Sequence, residues 1–418
     1  MSKLNTFNAE ALDTADELSS FRQQFLIPPK MDGDQIYFLG NSLGLQPRSL
    51  RQYIDTVLKQ WEQYGVEGFF MGDSPWLSYH EKLIGTMSEL VGAKPSEISI
   101  MNQLTVNLHL LMVSFYRPAG KKRKILCEQK AFPSDQYMLE THVKHLGLSP
   151  DDVIIEMAPR GDGMLFQTDD IIKAIEEKAD ELALIFLGGV NYYTGQVLEM
   201  DRIAAVARKH NIRIGYDLAH AAGNIRLDLH KWDIDFAAWC TYKYLNAGPG
   251  GVGAVFIHER HHRNLELHRF AGWFGYDKET RFKMQKGFVP VLSAEGWQLS
   301  TPSIILYASL QASLDLFKEA GWGNLQHKQR KMQDLLWDLL QEILQIKPVF
   351  KILTPKDYRG AQLSLYFPEN GRKIYDALID KGIIVDWREP NVIRLAPVPL
   401  YNTFTEIRNF TQALNDLL

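Results

Sequence analysis

Short apolar runs alternate with amphipathic segments through the middle of the chain, from about residue 120 to residue 260. The apolar runs are KILCEQ (124–129), VIIEM (153–157), LALIFL (182–187), IRIGYD (212–217), DFAAWC (235–240) and GAVFIHE (253–259). Helices are predicted between them, for example over 169–180, with Thr168 as the expected N-cap, and over 201–210. This alternation predicts an α/β fold with a mainly parallel central sheet, which binds ligands beyond the carboxyl ends of its strands.

The flanking regions predict a division into three parts. Residues 1–50 mix short helical patterns with loops and are expected to pack on the small C-terminal domain. Residues 51–300 form the expected large domain, in which the segment 65–76 interrupts a helical pattern and predicts a functional loop. Residues 301–418 combine long helices with short strands and predict a smaller α+β domain.

The composition is that of a globular protein and excludes several functional classes. Of the 418 residues, 45% are hydrophobic and 23% are charged, and a net charge of −4 without a basic tail argues against nucleic-acid binding. The only cysteines, Cys127 and Cys240, fit a reducing compartment. No apolar run approaches the ~18 residues that a membrane span needs. We therefore expect a cytoplasmic protein that binds neither nucleic acid nor a membrane.

Three short motif matches are better explained by local structure than by chemistry. GPGGVG (248–253) fits a dinucleotide-binding pattern, but a β-rich segment follows it instead of a helix, which favours a glycine turn. HERHH (258–262) fits a zinc pattern, but no third ligand is evident nearby; we expect solvated histidines at a strand end and no metal. GNSLG (40–44), centred on Ser42, fits a nucleophile elbow but lacks the core strand, which favours a backbone loop that helps to bind a ligand.

Two ionisable residues at neighbouring strand ends suggest cofactor chemistry. Asp217 ends one predicted strand, and Lys243 follows the next among Trp239, Tyr242 and Tyr244. A partly desolvated lysine has a lowered pKa and can form a Schiff base with an aldehyde cofactor, while a nearby carboxylate can keep a pyridinium nitrogen protonated. Asp217 also fits a turn residue and Lys243 a surface side chain, so these two residues alone leave pyridoxal phosphate as one possibility among several.

Longer motifs in a fixed order resemble the kynureninase family, which consists of pyridoxal-phosphate enzymes of the aminotransferase-like fold. They are FLGNSLGLQP (38–47), LTVNLHLL (104–111), AFPSD (131–135), GVNYYTGQ (189–196), DLAHAAGN (217–224), WCTYKYLNAGPGG (239–251), GWFG (272–275), RFKM (281–284) and RLAPVPLYN (394–402). The resemblance covers nearly the whole chain and implies fold type I with pyridoxal 5'-phosphate (PLP) as cofactor. It also implies hydrolysis of L-kynurenine to anthranilate and L-alanine, in a homodimer whose active site lies at the subunit interface.

The resemblance implies roles for individual residues. Lys243 would form the Schiff base and carry a proton, Asp217 would pair with the pyridinium nitrogen, and Tyr242 would reach the phosphate and relay a proton. The other cofactor contacts implied are Leu104, Thr105, Phe132 (stacked on the ring), Asp135, Gly188, His220 and, from the partner subunit, Trp273 and Thr301. The substrate contacts implied are Arg394, as a bidentate clamp for the α-carboxylate, and Asn41, Ser42, Phe69 and Ser300.

Departures from the family pattern bear on substrate choice. Phe69 and Thr301 stand where animal enzymes that favour 3-hydroxykynurenine are expected to carry histidine and asparagine. Because an apolar ring offers no partner to the extra hydroxyl, we expect kynurenine to be preferred. Gly188 replaces a serine of some relatives, so one polar cofactor contact is absent or supplied by the backbone.

Alternative functions remain to be separated from this one. Another fold-type-I enzyme, such as a class V aminotransferase or a cysteine desulfurase, would share the scaffold. A desulfurase needs a nucleophilic cysteine on a mobile loop, which neither Cys127 nor Cys240 matches, and an aminotransferase stalls without a keto acid. A catalytically idle binding protein is disfavoured by the joint presence of Lys243, Asp217 and Arg394.

Overall fold

The structure is a computed structural model that describes residues 8–30, 33–161 and 163–418; residues 1–7, 31 and 32 of the predicted N-terminal segment lie outside this range. The α-helices are α1 (Ala9–Thr14), α2 (Leu50–Tyr64), α3 (Glu81–Val91), α4 (Leu104–Phe115), α5 (Pro133–His145), α6 (Pro150–Val153), α7 (Thr168–Glu177), α8 (Met200–Lys209), α9 (Ile304–Ala320), α10 (Trp322–Ile346), α11 (Gly371–Asp380) and α12 (Phe404–Leu417). The strands before residue 200 are β1 (Phe25–Leu26), β2 (Pro29–Lys30), β3 (Gly33–Asp34), β4 (Ile36–Tyr37), β5 (Gln46–Pro47), β6 (Ile98–Ile100), β7 (Lys124–Glu128), β8 (Ile154–Met157) and β9 (Leu182–Gly188). The later strands are β10 (Arg213–Asp217), β11 (Phe236–Trp239), β12 (Ala254–Ile257), β13 (Lys351–Ile352), β14 (Leu363–Tyr366), β15 (Ile383–Ile384), β16 (Asp386–Arg388) and β17 (Val392–Leu395).

A seven-stranded sheet forms the centre of the large domain, in the order β6-β12-β11-β10-β9-β7-β8. Strands β8, β7, β9, β10 and β11 pair in parallel, and β12 is antiparallel to both of its neighbours. All six apolar runs form strands, so the predicted α/β class with a mainly parallel sheet is confirmed. The parallel pairing brings the carboxyl ends of β7, β9, β10 and β11 to one edge, where ligands of such sheets bind.

Both faces of this sheet are covered, as the continuous apolar runs predict. On β9, Ile185 and Leu187 belong to one hydrophobic cluster, while Leu184 and Phe186 belong to another on the opposite face. The rings of Phe186 and Phe236 are stacked, with their centroids 6.3 Å apart. Because the inner strands have a packed layer on each face, they carry apolar side chains at consecutive positions.

The predicted helix boundaries need one correction. Helix α7 begins at Thr168, and the residue that precedes it, Gln167, is the N-cap with an extended backbone and no capping side chain. The prediction of Thr168 as N-cap is therefore wrong by one residue. Asp169 and Asp170 in the first turn still stabilise the helix dipole. Among the described residues, no helix combines the length and the apolar character that crossing a bilayer requires.

The C-terminal part contains a second, antiparallel sheet in the order β13-β14-β17-β16. Helices α10, α11 and α12 pack with it around a separate hydrophobic cluster, which also includes Ala9 and Phe38 from the N-terminal segment. Strand β4 pairs with β15, so the N-terminal segment lies on C-terminal elements. Helix α9 packs instead on α2 and α3. The domain boundaries at residues 50 and 300 stay predictions.

Candidate active site

A cavity of about 230 Å³ lies at the carboxyl ends of the parallel strands, and it collects most of the predicted cofactor contacts. The residues that line it are Gln103, Leu104, Thr105, Val106, Glu128, Phe132, Ser134, Asp135, Gly188, Val190, Tyr192, Asp217, Ala219, His220, Tyr242 and Lys243. A larger surface cavity of about 580 Å³, lined by Arg117 and His142 among others, contains none of these residues. The residues that line the smaller cavity, and not its volume, therefore identify it as the candidate active site.

The amine of Lys243 points into this cavity beside a neutral imidazole. Its Nζ lies 2.9 Å from His220 Nε2 and 5.9 Å from the centroid of the Phe132 ring. Burial, reinforced by the positive charge of Lys243, holds the pKa of His220 well below its ordinary value. The imidazole is thus uncharged at neutral pH, and its Nε2 accepts a hydrogen bond from the amine. The buried Nδ1 of His220 has no hydrogen-bond partner among the described residues.

Two buried carboxyl groups lie opposite the amine. Asp217 is the last residue of β10, and its Oδ1 accepts a hydrogen bond from the Ala219 backbone N at 2.7 Å. Asp135 comes from the first turn of α5 and is hydrogen-bonded to Asp217. Burial raises the pKa of both groups, and the charge of Lys243 opposes that rise. The contact between two buried carboxyl groups opposes ionisation of both at once.

A third carboxyl group, Glu128, was missed by the sequence analysis. It ends β7 as Asp217 ends β10, so the same strand-end argument could have found it. Burial raises the pKa of Glu128 to about 7, although Asn191 Nδ2 donates to its Oε2 at 3.2 Å. A Cβ atom at Gly188 would lie 2.8 Å from Glu128 Oε1. The space where some relatives are expected to carry a serine side chain is therefore occupied by this carboxyl group.

The amino end of helix α4 forms another wall of the cavity. The helix begins at Leu104, its N-cap Gln103 is extended, and no side chain caps the first turn. Free backbone N–H groups and the helix dipole make such an end an anion site, to which the Thr105 hydroxyl can add a further hydrogen bond. On the opposite wall, burial raises the pKa of Tyr242, so its phenol keeps its proton at neutral pH.

The GNSLG loop packs on the segment that carries the lysine. The Gly44 backbone N donates to the Tyr242 carbonyl at 2.8 Å, and a Cβ at Gly44 would lie 2.4 Å from the Lys243 carbonyl oxygen, so only glycine fits. Asn41 is buried and donates from Nδ2 to Gln362 Oε1 at 3.0 Å. Neither Asn41 nor Ser42 lines the cavity. The strand that precedes the loop, β4, has only two residues, so the core strand of a nucleophile elbow is missing, as the sequence analysis argued.

Arg394 lies behind the cavity wall rather than on it. Its guanidinium is buried, donates from Nη1 to the Tyr192 carbonyl at 2.5 Å and pairs through Nη2 with Asp386. Tyr192 lines the cavity and packs its ring edge-on against Phe132, with the centroids 5.2 Å apart. Sequence analysis quoted Tyr192 within a motif but assigned it no role. The predicted contact between Arg394 and substrate stays a prediction.

Besides Asn41, Ser42 and Arg394, four further predicted residues do not line the cavity of their own chain. Phe69 is half-buried and edge-on to Trp76, with the ring centroids 5.2 Å apart. Trp273 is 38% exposed, and Ser300 and Thr301 are exposed. That Trp273 and Thr301 reach the cavity of a neighbouring subunit stays a prediction.

The two remaining motifs have structural roles, with one correction. Gly248 and Gly250 have positive φ values of 83° and 68° in the turn before β12, and no helix follows them, in line with a glycine turn. The histidines of HERHH were expected to be solvated, and this is wrong: His258, His261 and His262 are all buried. His262 Nε2 contacts the Ile257 carbonyl at 2.9 Å, away from His258, because the segment forms a short 3-10 turn instead of an α-helix.

The sheet topology and the lysine beyond β11 define the class as the aminotransferase-like fold type I. Two solved structures have this fold: a C-DES variant with glycine covalently linked to the PLP cofactor, and the cysteine desulfurase CsdA from Escherichia coli. The first has a TM-score of 0.76 at 19% identity, covering 91% of this chain and 96% of its own. The second has a TM-score of 0.75 at 17% identity, covering 96% and 99%.

Sequence comparison specifies the family within this class. The curated kynureninase of Flavobacterium psychrophilum is 50% identical over 409 residues, which cover 97% of this chain and 96% of the relative. Residues 325–414 match the family model described as "Kynureninase C-terminal domain". The chain belongs to the kynureninase family, and the predicted family is confirmed.

Proposed function

We propose that the protein hydrolyses L-kynurenine to anthranilate and L-alanine with PLP as its cofactor. The observation that carries this proposal is the cavity around Lys243, which holds every expected cofactor contact except Trp273 and Thr301. The 50% identity to a curated kynureninase over nearly the whole chain supports the same substrate.

The cavity residues fit the parts of PLP. The free N–H groups at the start of α4 and the Thr105 hydroxyl suit the phosphate. Asp217 suits the pyridinium nitrogen, the Phe132 ring suits the face of the pyridine, and Lys243 suits the aldehyde. When bound, PLP supplies an electron sink that stabilises negative charge at the substrate Cα.

Three side chains of the site hold or move protons. Lys243, once its amine is free, is the base for the Cα proton, since its Nζ already faces the cavity. His220 is uncharged and can accept a hydrogen bond from that amine without adding a second positive charge. Tyr242 keeps its phenol proton at neutral pH and can therefore donate it while the Cβ–Cγ bond breaks.

Arg394 would bind the substrate carboxylate as a bidentate fork.

We propose that a second copy of the chain completes the site. Trp273 lies in an exposed aromatic cluster with Phe282, 5.3 Å away, and Phe282 in turn lies 5.8 Å from Phe70, all measured between ring centroids. Exposed apolar clusters of this kind mark interaction surfaces. Trp273 and Thr301 of each copy would then reach the cavity of the other.

The cytoplasmic setting expected from sequence is supported by the free, buried state of both cysteines.

Kynurenine is the proposed preferred substrate over 3-hydroxykynurenine. Phe69 does not line the cavity of its own chain and packs edge-on against Trp76; wherever its apolar ring meets the substrate, it would offer no hydrogen-bond partner to a ring hydroxyl. The Phe69→His variant should shift the ratio of kcat/KM toward the hydroxylated substrate by about tenfold, the usual size of one such contact. Wild-type protein that uses 3-hydroxykynurenine more efficiently than kynurenine would contradict the assignment.

The test of the function is direct. PLP-loaded protein is incubated with L-kynurenine alone, and the fluorescence of anthranilate is followed. We expect many turnovers without a keto acid, whereas an aminotransferase would stop after one. A desulfurase is disfavoured, since burial raises the pKa of Cys127 to about 12 and Cys240 is also buried. Absence of anthranilate, which is the result expected of an aminotransferase because it leaves the Cβ–Cγ bond intact, or release that ends after one equivalent, would refute the proposal.

A further inference from the structure

A second cluster of ionisable side chains lies at the edge of the central sheet opposite the cavity. Glu97 directly precedes β6, His258 directly follows β12, and His230 belongs to the connection between β10 and β11. Because β6 and β12 are antiparallel, with Ile98 opposite Phe256, the start of one strand adjoins the end of the other. Asp217 ends β10 and Lys243 follows β11, both at the carboxyl ends of the parallel strands, so this cluster at the opposite ends of the strands is remote from them.

The three side chains have the geometry of a metal site. Glu97 Oε1 lies 2.9 Å from His230 Nδ1 and 3.8 Å from His258 Nδ1, and one ligand atom of each residue lies within 4.8 Å of the other two. In a tetrahedral zinc site with bonds of about 2.0–2.2 Å, neighbouring donor atoms are about 3.4 Å apart. The two measured distances bracket that value. We propose that Glu97, His230 and His258 bind a Zn²⁺ ion, with water as the fourth ligand.

The surroundings orient these ligands as a metal site requires. His258 Nε2 lies 3.2 Å from Asp233 Oδ1, so the ring donates there and turns the lone pair of Nδ1 toward Glu97. The backbone N atoms of Lys94 and Glu259 donate to Glu97 Oε2 and Oε1, each at 2.9 Å, and fix the carboxylate. With an ion bound, Asp233 and His258 would form a carboxylate–histidine–metal arrangement.

The 2.9 Å contact between Glu97 Oε1 and His230 Nδ1 is a hydrogen bond, and it is the main contact that the ion would replace. The other competing contacts at the cluster are weak or paired. The Arg260 backbone N donates to His258 Nδ1 at 3.3 Å, a long bond that the ion would replace. The cationic groups nearby already have acidic partners: Arg260 and Arg208 pair with Asp233, and Lys94 pairs with Glu259. The side chain of His230 is 33% exposed, which gives an ion access from solvent.

The expected role of the ion is structural. It would join three segments that are far apart in sequence but adjacent in the fold. One of them leads into β6, which is the outermost strand of the sheet. An ion that binds only the folded chain stabilises it in proportion to the logarithm of its concentration. Zn²⁺ should therefore raise the unfolding temperature, and kynurenine turnover should be unaffected because the site is remote from Lys243.

The test compares full-length, PLP-loaded wild type with two single variants after chelator treatment. His230→Gln removes a partly exposed ligand, and His327→Gln, an exposed histidine on α10, is the matched control. Titration with ZnCl₂ should show one tight equivalent in wild type and in His327→Gln, and binding at least about tenfold weaker in His230→Gln. Co²⁺ should give visible absorption bands typical of a tetrahedral site in the same two proteins.

A further variant tests the supporting carboxylate. Asp233→Asn should weaken Zn²⁺ binding by about 10–100-fold, as removal of such a hydrogen-bond partner usually does. The proposal is overturned if wild type takes up no Zn²⁺, or if His230→Gln binds it within about tenfold of the wild-type affinity. A Zn²⁺-dependent rise in unfolding temperature that His230→Gln retains would also overturn it.

Discussion

Replacing Glu128 by glutamine tests the buried carboxyl group that lies under Gly188. Glutamine preserves the shape of the side chain and removes its titration. In the folded chain burial raises the pKa of Glu128 from its ordinary value of 4.5 to about 7. A carboxyl group whose folded-state pKa is raised costs no stability well below its unfolded-state pKa; its cost grows as pH rises from the unfolded-state pKa to the folded-state pKa and is constant above it.

The size of this cost follows from the two pKa values. At about pH 6 the folded chain retains its proton while the unfolded chain has lost it, which costs about 2 kcal/mol. At about pH 8.5 both forms are ionised and the cost reaches its limit of about 3 kcal/mol. Glu128 is only 4% exposed, so solvent does little to reduce either value. When the pH is raised from about 6 to about 8.5, the free energy of unfolding of Glu128→Gln should therefore rise by about 1 kcal/mol relative to that of wild type.

Urea unfolding measures this gain. The free energies of unfolding of both proteins, with PLP removed and at equal concentration, are compared at the two pH values. Changes in hydrogen bonding caused by the substitution are the same at both and cancel in the comparison. A difference between the proteins that does not change with pH, or that changes in favour of wild type at the higher pH, would refute a raised pKa at Glu128.

Two further predictions concern catalysis. Tyr242→Phe should slow turnover by about 10²–10⁴-fold, the usual value of a proton donor, with the absorbance of bound cofactor unchanged; undiminished turnover would remove the relay role. Arg394→Lys should raise KM for kynurenine more than it lowers kcat, because a lysine cannot form the bidentate fork. An unchanged KM would show that Arg394 serves its contacts with Asp386 and Tyr192 and does not bind the substrate carboxylate.

The fold could be predicted from sequence because its signals are local. Consecutive apolar residues specify strands covered on both faces, and the helices between them specify parallel pairing. Strand β6 was missed because its three residues form no distinct run and depend on pairing with β12. The lysine and Asp217 could be placed at one edge because the carboxyl ends of parallel strands meet there.

What the sequence could not provide depends on contacts between distant residues. His258 was judged to lack a third ligand, since Glu97 and His230 come within reach only when β6, β12 and the β10–β11 connection meet. The ion pair of Arg394 with Asp386 was not predicted, because it depends on the pairing of β16 with β17, which sets Asp386 opposite Arg394. Such pairings follow from register, which a single sequence does not reveal.

The central claim is that Lys243, among the lysines of this chain, carries the PLP. PLP-loaded protein is reduced with borohydride, digested, and its peptides are identified by mass spectrometry. We expect the reduced cofactor on the peptide that contains Lys243, and no modified peptide from Lys243→Ala. A cofactor found on a different lysine of the wild-type protein, or recovered entirely free after reduction, would contradict the account.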